Sequence, residues 1–191
     1  MGACSVFPKT IACVGTFQIQ PATTADIDGI ARVMRESLRK LGPAVYNEKQ
    51  VNSSIAYVGQ PDHQLIDDGT YFVVLDGSTI VGCGGWSRRK KPYSGSAHAS
   101  DDDALLDPSR DAAHIRAMFV LPQFARRGIG RQILELCEAR AAAEGFRRLQ
   151  LVALRSGEEM YRRCGYAPVA DDPVILEDGV VLECTLMEKK L

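Results

Sequence analysis

Three arginines and two glycines carry the most legible chemistry of the chain: Arg126-Arg127-Gly128-Ile129-Gly130-Arg131. They stand where an extended, apolar stretch (residues 114–120) gives way to a helical pattern. Glycine lets a backbone come close to a bound group. The first N–H groups of a helix have no intrahelical partner, and the helix dipole adds partial positive charge there. Such a turn suits an anion, most often a phosphate or pyrophosphate, and Arg126, Arg127 and Arg131 surround it with full charges. A Walker phosphate loop does not fit, because Arg131-Gln132 stand where Lys-Ser/Thr would follow. A dinucleotide fingerprint fails for want of its third glycine.

Composition narrows what that anion is attached to. The 191 residues suit one domain, and 46% apolar with 25% charged residues is ordinary for a soluble globular chain. A net charge of −1 argues against a polyanionic partner such as nucleic acid and against an anionic membrane surface. Yet nine arginines face five glutamates between Arg126 and Arg163. A basic patch on a neutral chain fits a small anionic ligand, although a solvated helix face accounts for part of it. The six cysteines are scattered, with no Cys-x-x-Cys pair and no zinc spacing to the three histidines. No metal is expected; the cysteines read as reduced, which points to the cytoplasm. No apolar run is long enough for a membrane helix. Residues 1–16 lack a signal-peptide pattern and read as a tail; residues 17–191 form the domain.

The elements that would position the turn follow from periodicity. FQIQP (17–21) is a short strand. Thr23-Thr24-Ala25-Asp26 caps a helix with Ile27, Ile30, Ala31, Met34 and Leu38 on one face, stopped by Gly42-Pro43. A weaker helix covers 48–58. Residues 71–75 and 79–86 form a hairpin around Asp76-Gly77. Gly82, Gly84 and Gly85 in its second strand mark a bulge or a close approach. Trp86 reads as core or as a wall of a substrate site, and the polar stretch 87–111 as a solvated loop or a lid. The helix after the turn buries Ile129, Ile133, Leu136, Cys137 and Ala141 and stops at Gly145. Residues 146–154 are a strand, so strand–helix–strand makes a parallel unit. A short helix at 157–164 and two strands near 174–176 and 180–188 complete the chain.

The turn, Val120-x-Pro122 before it, Gly145-Phe146 after its helix, and Tyr161-Arg162-Arg163-Cys164-Gly165-Tyr166 together resemble the GCN5-related N-acetyltransferase superfamily. The resemblance covers nearly everything after residue 16. It implies an α/β (α+β) fold: one domain with a mixed central sheet flanked by helices, two parallel strands splaying apart to hold acetyl-CoA. The backbone of Met118, Phe119 and Val120 would bond the pantetheine arm. The N–H groups of Arg126, Arg127, Gly128, Ile129, Gly130 and Arg131 would cradle the pyrophosphate. The family's turn usually begins with Gln or Arg, and Ala125 stands there instead. The implied activity is direct acetyl transfer to a primary amine of a small molecule or peptide; a coenzyme A-binding module without turnover is the alternative. Tyr161 would donate to the leaving thiolate. The oxyanion would meet a backbone N–H near Phe119. His114, whose ordinary pKa of about 6.5 suits a base, is a catalytic candidate beside a glutamate, a strand-bound water or a purely structural role. Glu158 and Glu159 suit the dipole of the last helix, and Cys164 a packing role. A homodimer is a habit of the family.

Overall fold

The computed structural model describes residues 12–14, 17–90 and 104–191. In chain order the strands and helices are β1 (Ala12–Val14), β2 (Phe17–Pro21), α1 (Ile27–Leu41), α2 (Glu48–Tyr57), α3 (His63–Asp67), β3 (Tyr71–Asp76), β4 (Thr79–Ser87), β5 (Ala113–Val120), α4 (Ile129–Ala143), β6 (Arg148–Leu154), α5 (Glu158–Arg163), β7 (Ala167–Asp171), β8 (Val174–Ile175), β9 (Val181–Leu182) and β10 (Cys184–Lys190). Eight strands form one mixed sheet in the order β1-β2-β3-β4-β5-β6-β10-β7. Among these neighbours only β5 and β6 run parallel; α4 is the crossover between them.

Local chemistry explains the elements that periodicity located. The Asp26 carboxylate accepts from the Thr23 N–H and hydroxyl, each at 2.8 Å, and fixes the chain entering α1. Ile30, Val33, Met34 and Leu38 of α1 are buried. Asn47 accepts from the Gln50 N–H at 2.9 Å and starts α2. The buried stripe of α4 is Ile129, Ile133, Leu134, Cys137 and Ala141, so Leu134 takes the place expected for the half-exposed Leu136. Trp86 is 1% exposed and packs edge-on against Phe146, which settles it as core.

Four features depart from the expectations. The sheet begins inside the stretch read as a tail, since Ala12–Val14 pair with Phe17–Ile19. A third short helix, α3, precedes β3. An additional strand, β7, forms the sheet's edge beside β10; all of its residues are exposed, so it has no alternating apolar signal. The last hairpin is two-stranded, β8 with β9, and stands apart from β10. Most of the expected loop over 87–111 lies outside the described residues; its ends meet where Arg89 bridges Leu105. Among the described residues no helix is long and apolar enough to cross a membrane.

The two sheet faces are set by β4. A Cβ on Gly82 would lie 2.8 Å from Ile129 of α4, and one on Gly84 would lie 2.9 Å from Ile133 and 2.1 Å from the Met118 sulfur. The next residue, Gly85, turns to the other face, toward Tyr71 and Leu65 of α3. The Tyr71 hydroxyl there is 3.9 Å from the Met34 sulfur of α1. Thus α4 covers one face, and α1 and α3 the other. The glycines of β4 let α4 sit close to the sheet. Gly84→Val should therefore cost about 1–3 kcal/mol by overpacking, read as a lower midpoint in urea unfolding. Gly77→Asn, at a left-handed position (φ +62°) with open space around it, should lower the midpoint much less, because asparagine tolerates that backbone conformation better than other side chains.

Candidate active site

The site is a gap between two strands that start paired and then separate. β5 and β6 pair only at Ala113↔Leu149 and His114↔Gln150. Past that point β5 keeps to β4, with Cys83 opposite Phe119 and Gly82 opposite Val120, while the register shifts between Cys83 and Gly85. The shift coincides with Ala117, which adopts a left-handed φ of +52°. Its carbonyl oxygen accepts from the Tyr71 hydroxyl at 3.3 Å. Holding alanine there costs about 1–3 kcal/mol, and a bulge of this kind bends a strand and sharpens its twist.

Beyond the bulge the ladder decides which backbone groups face the gap. Leu121 N–H donates to Val81 O at 2.8 Å. In an antiparallel pair, residues two apart turn their backbone groups to the same side. Phe119 therefore faces β4 as well, consistent with its carbonyl oxygen lying 3.5 Å from the Cβ position of Gly82. Met118 and Val120 turn their N–H and C=O groups into the gap. Of the three residues expected to bond a pantetheine arm, Met118 and Val120 have backbone groups on the gap side, while Phe119 is engaged with β4 and fixes their register.

The gap opens into a cleft of ≈ 730 Å³ that passes through the sheet. On the α4 face it is lined by Ala125, Arg126, Gly128, Ile129, Gly130 and Arg131. Arg126 (φ +61°) and Gly128 (φ +81°) are both left-handed, and such turns aim successive N–H groups at one point. The first α4 hydrogen bond at this end runs from Gln132 N–H to Gly128 O, leaving the N–H groups of Ile129, Gly130 and Arg131 without a helical partner. Gly130 has a further reason for its identity: a Cβ would stand 2.7 Å from the Met160 sulfur, so it admits α5 beside α4. Arg131 pairs with Glu135 at 2.7 Å, and Arg127 lies over the Phe124 ring, while Arg126 lines the cleft.

Tyr161 of α5 lines the same cleft and is 8% exposed. Burial raises its pKa well above the ordinary tyrosine value, so at neutral pH it is a hydrogen-bond donor and not a phenolate. Its ring stacks edge-on against Tyr166, and Gly157 leaves room beside it. Cys164 also borders the cleft; burial raises its thiol pKa, which keeps it protonated and weakly nucleophilic. His114 sits at the closed end, opposite Ser87 and Gln150, and is not among the residues lining the cleft. Burial first, then the nearby Arg116 charge, lower its pKa to about 4.

For the other half of the cleft the sequence pointed to elements, the loop over 87–111, the first two helices and the last hairpin, but to no particular residue. There α1, the end of α2 and the β8–β9 hairpin supply Leu38, Tyr57, Val58 and Ile175. The hairpin is held by a second apolar cluster around Tyr46, Val51, Leu176 and Leu182. The Tyr46 hydroxyl secures it further, donating to Glu183 O at 2.7 Å and accepting from Arg155 N–H at 3.1 Å. Ala117 was missed too, because alanine carries no signal for a left-handed bulge. Among the described residues no His, Cys, Asp and Glu side chains group as a metal site.

Comparison with known proteins places this geometry. The Acetyltransferase (GNAT) family pattern matches residues 32–166. A GCN5-related N-acetyltransferase structure from Rhodopseudomonas palustris superposes with a TM-score of 0.72 at 20% identity, over 95% of this chain and 99% of that one. The PaiA N-acetyltransferase of Thermoplasma acidophilum, solved in complex with coenzyme A, gives a TM-score of 0.64 at 16% identity, over 92% and 99%. Ard1 from Thermoplasma volcanium gives 0.60 at 15% identity, over 92% and 98%. No curated protein matches the chain. With its splayed parallel strands and its match over 135 of 191 residues, the chain belongs to the GNAT acetyltransferase family.

Proposed function

We propose that the protein transfers an acetyl group from acetyl-CoA to a primary amine of a small molecule or peptide, by direct attack in a ternary complex. The observation that carries this reading is the gap between β5 and β6, with an anion-binding turn at one end and unpaired backbone groups along one edge. The pyrophosphate of coenzyme A suits the N–H groups of residues 126–131 with Arg126 beside them. The pantetheine amides suit the N–H and C=O groups of Met118 and Val120. Both sets are backbone groups, so Ala125 in place of Gln or Arg at the start of the turn is a small loss. Cys83, Cys137, Cys164 and Cys184 are free, which suits a reducing, cytoplasmic setting.

The chemistry follows from what lines the cleft. The amine nitrogen attacks the thioester carbonyl carbon and forms a C–N bond. The carbonyl oxygen gains charge and is met by the Met118 N–H, the first gap-facing donor after the bulge. The C–S bond then breaks, the sulfur keeps the electron pair, and the buried Tyr161 hydroxyl donates to it. The nitrogen's proton leaves to water along the open edge of β5. His114 does not line the cleft, and Glu159 is held by Arg163 at 2.8 Å. The protonated thiol of Cys164 argues against an acyl-enzyme. Binding does much of the work, because aligning amine and thioester makes the reaction effectively unimolecular.

Acetyl-CoA at about 100 times its dissociation constant should raise the melting temperature by about 5–10 °C; no shift would remove the cofactor assignment. Tyr161→Phe should lower kcat by about 10²-fold with acetyl-CoA affinity nearly intact, measured by steady-state kinetics and calorimetry. His114→Gln should leave kcat/KM and its pH profile unchanged. Its effect should appear in stability instead. His114 stays neutral in the fold down to about pH 4 but charges near 6.5 when unfolded. Its contribution is complete above 6.5 and lost as pH falls toward 4, so the variant should unfold less steeply with pH in that window.

A further inference from the structure

The cleft continues past the strands to the α1 face, and its walls there differ from those at the arginine-rich turn. They are Leu38 and Leu41 of α1, Tyr57 and Val58 at the end of α2, and Ile175 and Leu182 of the β8–β9 hairpin. The hairpin is fixed in place by polar contacts as well as apolar ones. Ser53 Oγ donates to the Asp178 carboxylate at 2.7 Å, and Gln50 Nε2 donates to Val181 O and to the Glu183 carboxylate, both at 2.8 Å. Leu41 and Ile175 stay 38% and 69% exposed at the mouth of this half. Large apolar side chains left open to solvent around a concavity mark a binding surface.

Among the described residues, the ionisable groups facing this half are few. Arg116 at its base is in a buried ion pair with Asp62. The Cys184 thiol is pushed up to about 11 by burial and is neutral. Glu177 is exposed at the rim. One rim carboxylate can meet one cation. A second or third ammonium group would have to lie against leucine, valine and isoleucine, where desolvating a charge is costly.

We propose that the acceptor is a compact primary monoamine on an apolar body, arylalkyl or branched alkyl, and that the wall built by α1, α2 and the β8–β9 hairpin disfavours polyamines and lysine-bearing peptides. The inference rests on the acetyl-transfer reading above. It also helps that chemistry. An apolar surrounding disfavours the ammonium form, so binding itself drives the amine toward the free base that attacks, without a side-chain base inside the cleft.

The test uses the full chain with acetyl-CoA and mass detection of acetylated product. The probes are 2-phenylethylamine and isopentylamine against putrescine, spermidine and a lysine-containing peptide. The apolar monoamines should have kcat/KM values higher by about 100-fold. Ile175→Asp and Leu41→Asp should each raise the KM for 2-phenylethylamine by about tenfold, with the dissociation constant for acetyl-CoA unchanged. Should Leu41→Asp fail to fold, the more exposed Ile175→Asp carries the test. Equal or better turnover of the cationic probes, no turnover of the apolar amines, or an unchanged KM in folded variants overturns the acceptor assignment while acetyl-CoA binding stands. Loss of acetyl-CoA binding by the wild-type chain overturns the acetyl-transfer reading and this inference with it.

Discussion

The site depends on a parting of backbones. β5 has two neighbours and keeps pairing along its length with only one of them. After two rows of pairing with β6 it follows β4, and the bulge at Ala117 is where its course changes. Backbone N–H and C=O groups inside a protein demand partners, and on the gap side of Met118 and Val120 the neighbouring strand supplies none. A ligand with alternating amide donors and acceptors answers that demand as an added strand would. The Tyr71 hydroxyl bond to Ala117 O holds the bulge. Tyr71 is itself fully buried between sheet and α1, so the strained residue is braced by the core.

The two faces of the sheet divide the work according to their chemistry. On the α4 face, left-handed turns and a helix start gather N–H groups, and arginines add charge. On the α1 face, the cleft is walled by leucine, valine, isoleucine and a tyrosine. One face suits an anion and the other an apolar body, and under the proposed acetyl transfer the two ligands would meet where the sheet is open. Tyr161 reaches that opening from α5. The glycines of β4 serve this arrangement indirectly: by admitting α4 close to the sheet, they bring its N-terminus to the mouth of the gap.

What the sequence made legible was what local physics controls. Gly128 is a left-handed helix start and could hardly be another residue; α1 and α4 follow from their apolar spacing, and β5 from its apolar run. The turn, strand and downstream tyrosine were found because each has a local signature. Less legible were features settled by tertiary context. Ala117 adopts a conformation that alanine rarely takes alone. β7 carries Pro168 and no buried face, so it exists only because β10 offers an edge. The β8–β9 hairpin is two residues a side and owes its position to Tyr46, Ser53 and Gln50, more than a hundred residues away in sequence. His114 is of a residue type apt for catalysis and is carried by the same strand, but it stands at the strand's paired end, outside the cleft lining.

The central claim is that Met118, Val120 and the 128–131 turn hold acetyl-CoA through their backbone, while Phe119 is already engaged with β4. Residue-resolved amide hydrogen exchange, with and without acetyl-CoA, tests it most directly. The account predicts that the amides of Met118, Val120, Ile129, Gly130 and Arg131 become protected on binding, and that Phe119, protected beforehand by the ladder, hardly changes. Protection appearing elsewhere, with these five amides unaltered, would contradict it.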